Sequence, residues 1–271
     1  AIFPAPFAAD AAAAVWNVSL KEAQERLATL VGLALIHRMA DTPYYEIHDR
    51  VRVFAQELLL GQPARSAELV ARYVAHYFRE AIQISTQLTA TAPALLGRRL
   101  DHYLAWDHLP SAWHRLNDED PGWPRPPGMA QWIRDLPRHC KVLLDATLSR
   151  SDYRAWLAQA LEVAEGIDDP RGVGWLLGAL GEADADLKDY AAAAEDFERQ
   201  IMVARKAEAR DLEAEALMHA GAAHKALGAP ERALAFWQRA LVLLELMRDP
   251  RASTVRLWLA EGQGGAEGGG G

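Results

Sequence analysis

An internal repeat in the second half of the chain constrains its fold more than any other feature of the sequence. Each of two clear copies reads apolar-x-x-apolar-Gly, with Ala-x-x-x-aromatic starting twelve residues after the glycine. The positions that correspond are Leu177 and Leu217, Leu180 and Ala220, Gly181 and Gly221, Ala193 and Ala233, and Phe197 and Trp237. Such a unit buries its apolar face only by stacking against its neighbours. The repeat therefore predicts an α-solenoid of paired helices, brought close by the small residues and wedged by the aromatic ones.

The repeat resembles the tetratricopeptide repeat (TPR), whose units are helix–turn–helix pairs. A degenerate unit precedes the two clear copies, running from Cys140 to Ala160 with Trp156 as its aromatic residue. Residues 251–260 would supply the first helix of a further unit, left as a cap. The period, which runs from Leu177 to Leu217, exceeds the family's usual period of about 34 residues, so we expect the turns to carry the additional length.

Composition restricts the classes of partner and the compartment. The formal net charge of −8 over 271 residues disfavours nucleic acid and anionic membrane surfaces. Cys140 is the single cysteine, which fits a reducing cytoplasm. The apolar run LVGLALI, residues 30–36, is far too short to span a membrane. The chain begins without Met, and we expect it to be a piece of a longer protein.

Residues 1–60 differ from the rest of the chain because a hairpin is predicted among their helices. Ser19 and Glu22 form a capping box at the start of one helix, and Asp49 is placed to cap another. The predicted elements are a helix over 8–16, a helix from Ser19 to about Leu33, a hairpin of 33–39 and 44–47, and a helix over 50–60. Helix, helix, hairpin, helix is the order of a winged helix.

The predicted fold class is all-α: a winged helix with a small β-hairpin, a helical connector and a TPR-like α-solenoid. A long helix is expected over 63–88, with less regular helices between 93 and 116. The Pro- and Gly-rich stretch 117–128 is the best internal boundary. The predicted domains are a winged helix over 1–62, a connector with its Pro-rich loop over 63–128, TPR-like repeats over 129–261, and a disordered Gly-rich tail over 262–271.

Several motifs in the first segment match one known family. They are Phe3-Pro4-x-x-Phe7, the run ending Val15-Trp16, Leu27-x-x-Leu30-Val31, Leu35-Ile36, and Tyr45-x-Ile47-His48-Asp49-x-x-Arg52-x-Phe54-Ala55. With these motifs, residues 1–60 resemble the winged-helix segment that follows the nucleotide-binding module in NB-ARC-type ATPases of the STAND class. Bacterial members often continue into TPR repeats, which is the order found here.

The resemblance implies a role for His48. In that family this histidine reaches the β-phosphate of bound ADP and holds the resting state, while the following aspartate fixes the helix start. The present chain contains no G-x-x-x-x-G-K-[ST] stretch. We therefore expect ADP or ATP binding only in a parent protein with that module, and no cofactor here. Without the resemblance, His48 would be interpreted as a locally bonded histidine at a strand end.

Two other groups of residues suggest chemistry at first sight. Asp101-His102, Asp107-His108 and His114 place histidines six residues apart, which separates them by about 120° around a helix. Because metal ligands must converge, we predict a solvated helix face and no metal site. His139 and Cys140 are adjacent on a helix and cannot face each other, so we predict a buried thiol. No nucleophile elbow or paired-carboxylate motif is present, and no enzyme activity is expected.

The alternative function is a winged-helix DNA-binding transcriptional regulator with a TPR ligand-sensing domain. Its groove-reading helix, 21–32, offers only Lys21 and Arg26, against Glu22 and Glu25. A DNA reader needs more positive charge and more polar contacts to base edges. Packing against a neighbouring domain is the favoured interpretation of this helix.

The favoured function is a sensor and protein-interaction module of a STAND-type regulatory ATPase in the cytoplasm. In TPR proteins the first helices of the units line a concave groove. The residues predicted to face it are Arg138, Lys141, Asp145, Trp175, Gly178, Glu182, Met218, Ala222, Lys225 and Trp258. Small and apolar residues replace a cluster of cations at its centre, which favours an apolar helix or extended segment over an acidic peptide terminus. Alternatively, the chain fills the groove itself.

Overall fold

Helices and one small hairpin make up the described part of the chain. The computed structural model describes residues 2–90, 108–117 and 130–267. Its first elements are α1 (Ala9–Trp16), α2 (Leu20–Gly32), β1 (Ile36–Arg38), β2 (Tyr45–Ile47), α3 (Asp49–Leu60), α4 (Pro63–Ala90), α5 (His108–Asn117) and α6 (Ala130–His139). They are followed by α7 (Lys141–Thr147), α8 (Arg150–Glu165), α9 (Pro170–Asp186), α10 (Tyr190–Lys206), α11 (Arg210–Ala226), α12 (Pro230–Met247) and α13 (Ala252–Glu267). The predicted all-α class is confirmed.

The chain divides into two compact units, Ala1–Leu143 and Leu144–Gly271. The predicted Pro-rich boundary lies outside the described residues from 118 onward, as do the helices expected between 93 and 107. Among the described helices, none combines the length and the apolarity that crossing a membrane requires.

The first elements of the N-terminal unit follow the predicted order of helix, helix, hairpin, helix. Ser19 caps α2 as predicted, because its Oγ accepts a hydrogen bond from the backbone N–H of Glu22 at 3.2 Å. β1 and β2 pair antiparallel with Ile36 opposite Ile47, and Phe7 adds a backbone bridge to Tyr45. Local capping and turn signals were therefore sufficient to locate these elements.

Aromatic rings form much of the core of the N-terminal unit. Phe3 and Phe7 stack with 4.0 Å between their ring centroids, and Phe3 lies edge-on to Tyr73 of α4 at 5.9 Å. Trp113 of α5 is fully buried. Because aromatic side chains bury the largest apolar areas, this cluster contributes much of the stability of the unit.

The start of α3 differs from the prediction. His48, not Asp49, is the N-cap residue, and its side chain makes no capping hydrogen bond. Asp49 is the first helical residue, where its charge favours the helix dipole, and its carboxylate lies 3.4 Å from the guanidinium of Arg52. α3 buries none of its residues, and Val53 and Phe54 are 54% and 61% exposed. The helix thus presents apolar side chains outward.

The helices of the C-terminal unit start at a constant interval along the chain. α8 to α12 begin at residues 150, 170, 190, 210 and 230. α9, α10 and α11 each contain 17 residues, and only three residues separate each from the next helix. The expectation that long turns account for the long period of the repeat is therefore wrong, since the additional length lies in the helices.

A left-handed residue makes the three-residue turns possible. Lys188, Glu208 and Gly228 occupy the same place in successive turns, with φ of 65°, 54° and 73°. The residue after each one bonds back to the preceding helix, as in the 2.9 Å hydrogen bond from the Ala209 N–H to the Ala204 carbonyl. This is the Schellman arrangement, which ends a helix within one turn.

The small and aromatic residues of the repeat contact each other directly. A Cβ atom on Gly181 would lie 2.6 Å from Cε1 of Phe197, and one on Gly221 would overlap the indole of Trp237. Phe197 also lies edge-on to His219 of α11, with ring centroids 5.1 Å apart. The aromatic residue therefore packs both on its own helical pair and on the next one, as the repeat predicted.

The predicted disordered tail begins too early. α13 continues through Glu267, and a Cβ atom on Gly262 would lie 2.7 Å from Cδ2 of Leu234 in α12. Composition alone suggested a flexible segment. A helix already formed gains one hydrogen bond for each residue added, however, and here the glycine permits close packing. Residues 268–271 of the tail lie outside the described residues.

Candidate protein-binding cleft

A cleft of about 300 Å³ lies between α9 and α11, the first helices of two successive units. Its lining residues are Glu182, Ala185, Asp186, Tyr190, Phe197, His219, Ala222 and Ala223. Glu182 and Ala222 belong to the predicted groove. The rings of Tyr190, Phe197 and His219 were not predicted to line a groove. They project from two different helices, and the residue pattern of one helix does not show which face of another helix it meets.

The floor of the cleft is aromatic. The Phe197 side chain is only 2% exposed, and its ring meets the His219 ring at an angle of 69°. Phe197 reaches this position because Gly181 has no side chain to block it. Ala222 and Ala223 leave the space above the rings open, since a methyl group is all that either contributes.

The rim of the cleft carries negative charge. Glu182 and Asp186 both line it, and of the lining residues that the structure describes none is Lys or Arg. Asp186 lies 3.1 Å from Nε of Arg150, which partly compensates its charge. Like charges repel, so the rim disfavours an acidic ligand and favours an apolar or basic one.

A buried acidic pair occupies α9 and α10. Asp184 is 1% exposed and forms an ion pair with Arg154 of α8. The pKa of Asp196 is raised to about 6, chiefly by burial and next by the charge of Asp184, whereas Arg199 and Arg154 act to lower it. This network holds charge inside the repeat rather than in the cleft.

Two residues predicted for the centre of the groove are buried, so their assignment is wrong. A Cβ atom on Gly178 would lie 2.5 Å from Nε2 of Gln200, which covers that face of α9. Met218 is 8% exposed and belongs to the core formed by α10 to α13. The helical repeat places both residues against the second helices of the pairs rather than on the concave side.

The tryptophans and Lys225 form a different arrangement from the one predicted. Trp258 packs on Trp237 with 5.3 Å between ring centroids, and does not line the cleft. The ammonium of Lys225 lies 5.7 Å from the Trp237 ring, over a separate cavity of about 440 Å³. Trp175 is half-buried on α9, also outside the lining of the cleft.

The remaining groove candidates precede α8. Arg138 is exposed near the end of α6, in the N-terminal unit, and Lys141 is half-buried at the start of α7. Asp145 accepts a hydrogen bond from Nη1 of Arg150 at 2.6 Å. None of the three lines the cleft.

His48 is exposed between β2 and α3. Its ring centroid lies 5.2 Å from that of His37, which is 3.1 Å from a carboxylate oxygen of Glu46. His48 is the N-cap residue of α3, but its side chain makes no capping hydrogen bond. Its predicted phosphate contact in a parent protein stays a prediction.

The helix considered for DNA binding offers little free positive charge. On α2, Arg26 lies 2.6 Å from Glu22, and Lys21 lies 4.0 Å from Glu25. Both cations are thus paired within the helix, which weakens the case for phosphate contacts.

The other residues considered for chemistry have clear structural surroundings. His108 is buried, with its Nε2 2.9 Å from the Pro6 carbonyl and its Nδ1 3.1 Å from the Tyr73 hydroxyl, so its predicted solvent exposure is wrong. His114 is exposed as predicted, while Asp101, His102 and Asp107 lie outside the described residues. Cys140 is buried as predicted, and burial raises its pKa to about 12.

No protein-family profile matches the sequence, and no curated protein is recognisably related to it. Solved structures do resemble the chain. The apo form of RapI shares 12% identity over 95% of this chain and 70% of its own, with a TM-score of 0.51. Aspartyl phosphate phosphatase F from Bacillus subtilis shares 13% identity over 90% and 56%, with a TM-score of 0.49.

A STAND protein with a tetratricopeptide repeat sensor, from Pyrococcus horikoshii, shares 12% identity over 96% of this chain, with a TM-score of 0.40. The chain spans 52% of that protein, about half its length. The likeness to RapI shows a common helical fold, and with the internal repeat it establishes a TPR-like array.

Proposed function

We propose that the repeats of the C-terminal unit bind a protein segment in the cleft between α9 and α11. The observation that carries the proposal is the combination of an aromatic floor, small walls and an acidic rim. The occupant is an apolar helix or extended segment with basic residues near its apolar anchor. An acidic peptide terminus would be repelled by Glu182 and Asp186.

The dimensions of the cleft suit an anchoring side chain. Its volume of about 300 Å³ lies at the lower end of the range for ligand sites. Peptide recognition by grooves commonly uses a few buried side chains as anchors, with the remaining contacts excluding water. The rings of Phe197 and His219 would receive such an anchor. Of the α13 residues whose side chains the structure describes, none lines the cleft.

The test uses a displayed library of random peptides, selected on the purified chain. Selected peptides should be enriched in apolar and basic residues. Ala222→Trp should abolish their binding by filling the cleft, and it should fold because Ala222 is exposed. Met202→Trp is the matched control, since it adds the same side chain at a 64% exposed position of α10. Peptides that bind the wild type and Ala222→Trp equally would remove the cleft as the binding site.

We also propose that the chain is the sensor part of a STAND-type regulatory ATPase, with the segment 1–62 as its winged helix. Support comes from the motifs around His48, from the observed order of α1, α2, the hairpin and α3, and from the TPR-like array that follows. The outward apolar side chains of α3, including Phe54, offer a surface for the nucleotide-binding domain.

The coding sequence upstream of Ala1 tests this assignment. A phosphate-binding loop within one domain length would support it, and an unrelated upstream gene would contradict it. In a parent protein with that loop, His48→Ala should weaken ADP binding. The neighbouring Arg50→Ala, also exposed at the start of α3, provides the control.

A further inference from the structure

Three side chains of metal-ligand type meet in the N-terminal unit. Asp10 lies in the first turn of α1, and His76 and Glu80 lie one helical turn apart on α4. One ligand atom from each residue lies within 4.8 Å of those of the other two. Nε2 of His76 is 3.7 Å from Oε2 of Glu80. The three groups therefore face a common point.

We propose that Asp10, His76 and Glu80 bind a divalent transition-metal ion of the Zn²⁺ class, with water in the remaining position. An imidazole nitrogen with two carboxylate oxygens is a ligand set that suits Zn²⁺, whereas Mg²⁺ and Ca²⁺ prefer oxygen ligands alone. The i, i+4 spacing on α4 places His76 and Glu80 on one face. Asp10 completes the set from a second helix, so the bound ion joins α1 to α4.

The surroundings provide room for the ion and its water. A cavity of about 110 Å³ adjoins the three residues and is also lined by Tyr44. Because a water molecule takes about 30 Å³ in the liquid, the cavity can hold the water needed to complete the coordination shell.

A second histidine–carboxylate pair provides an internal comparison. His37 and Glu46 lie 3.1 Å apart across the hairpin, closer than His76 and Glu80. Of the described residues, only Asp10, His76 and Glu80 form a convergent set of three ligands. The proposal therefore expects metal binding to depend on His76 and not on His37.

The experiment is a calorimetric titration of the chelator-treated full chain with ZnCl₂, alongside thermal unfolding with and without the ion. The wild-type protein should bind one ion more tightly than the variants do, and it should unfold at a higher temperature when the ion is present. His76→Gln and Glu80→Gln should each weaken that binding by at least about tenfold. His37→Gln should leave it unchanged. Visible absorption of bound Co²⁺ should vanish in the same variants.

The proposal fails if a roughly tenfold molar excess of Zn²⁺ leaves the wild-type unfolding temperature unchanged. It also fails if His37→Gln loses binding to the same extent as His76→Gln. Circular dichroism checks that the variants fold. Should either α4 variant unfold, Asp10→Asn at its exposed position gives the same test, and full retention of binding in that variant overturns the site.

Discussion

The indole of Trp237 lies directly on Gly221, and its Nε1 donates a hydrogen bond to the Met218 carbonyl at 3.1 Å. The glycine allows contact between α11 and α12, and the hydrogen bond satisfies the polar atom of a side chain that is 3% exposed. Gly181 and Phe197 repeat the same contact one unit earlier. One interaction thus sets the spacing of both helical pairs.

Gly221→Leu should destabilise the C-terminal unit by about 1–3 kcal/mol or more, because no space exists for a side chain beneath Trp237. Since each unit depends on its neighbours, α11 to α13 should lose structure together. Urea unfolding followed by circular dichroism measures the effect. Ala222→Leu, at the next and exposed position, should change stability by less than about 0.5 kcal/mol. Equal stability of the two variants would show that the contact is absent.

Introducing a glycine at one left-handed turn position and removing one at another should have opposite effects on stability. Glu208 has φ of 54°, a left-handed conformation that disfavours a side chain. Glu208→Gly should therefore raise the free energy of unfolding by about 0.5–1 kcal/mol. Gly228→Ala should lower the free energy of unfolding by about 1 kcal/mol for the same reason. Nothing lies within 4 Å of a Cβ atom at Gly228, so only backbone strain is involved. Chemical denaturation of both variants should show shifts of opposite sign.

The helix starts differ in their caps. Asp189 caps α10 with a 3.1 Å hydrogen bond from the Ala192 N–H, whereas Ala229 stands at the same place before α12 without one. Ala229→Asp should therefore stabilise the unit by about 1 kcal/mol. Ala209→Asp is the informative comparison, since Ala209 is 3% exposed and burial of the carboxylate should cancel the gain. The unfolding temperatures of the two variants give the answer.

Asp196 should make stability depend on pH. Its folded pKa of about 6 lies above the ordinary value of 3.8, so its contribution is fully present below about pH 4 and is lost as the pH rises through about 6. Asp196→Asn removes the ionisation, and should stabilise the protein at pH 7.5 by about 1–3 kcal/mol relative to wild type. The difference between the two proteins should shrink as the pH falls toward 4.

The control for that measurement is Asp168→Asn, which changes an exposed carboxylate of the same unit. Unfolding free energies at several pH values between 4 and 8 should show a changing difference for Asp196→Asn and a constant small one for Asp168→Asn. A difference for Asp196→Asn that does not vary with pH would contradict the raised pKa.

Elements whose signals are local could be predicted from the sequence alone. Two of these features involve residues close in the chain: the contact between Ser19 and the Glu22 N–H, and the hairpin. A third, the pairing of Gly181 with Phe197, involves residues related by a fixed period. Such features depend on helix periodicity, capping and turn chemistry, which a single sequence carries directly. The all-α, TPR-like architecture follows from them.

Which helix faces are open depends on how the helices pack against one another. Gly178 and Met218 share the spacing of the other groove candidates, yet neighbouring helices cover them. His219 meets Phe197 in the cleft, and Asp10 approaches His76, through contacts between helices that are distant in sequence. Periodicity gives the direction of a side chain around its own helix, but not the rotation of that helix against its neighbours, which depends on how all the side chains between them pack together.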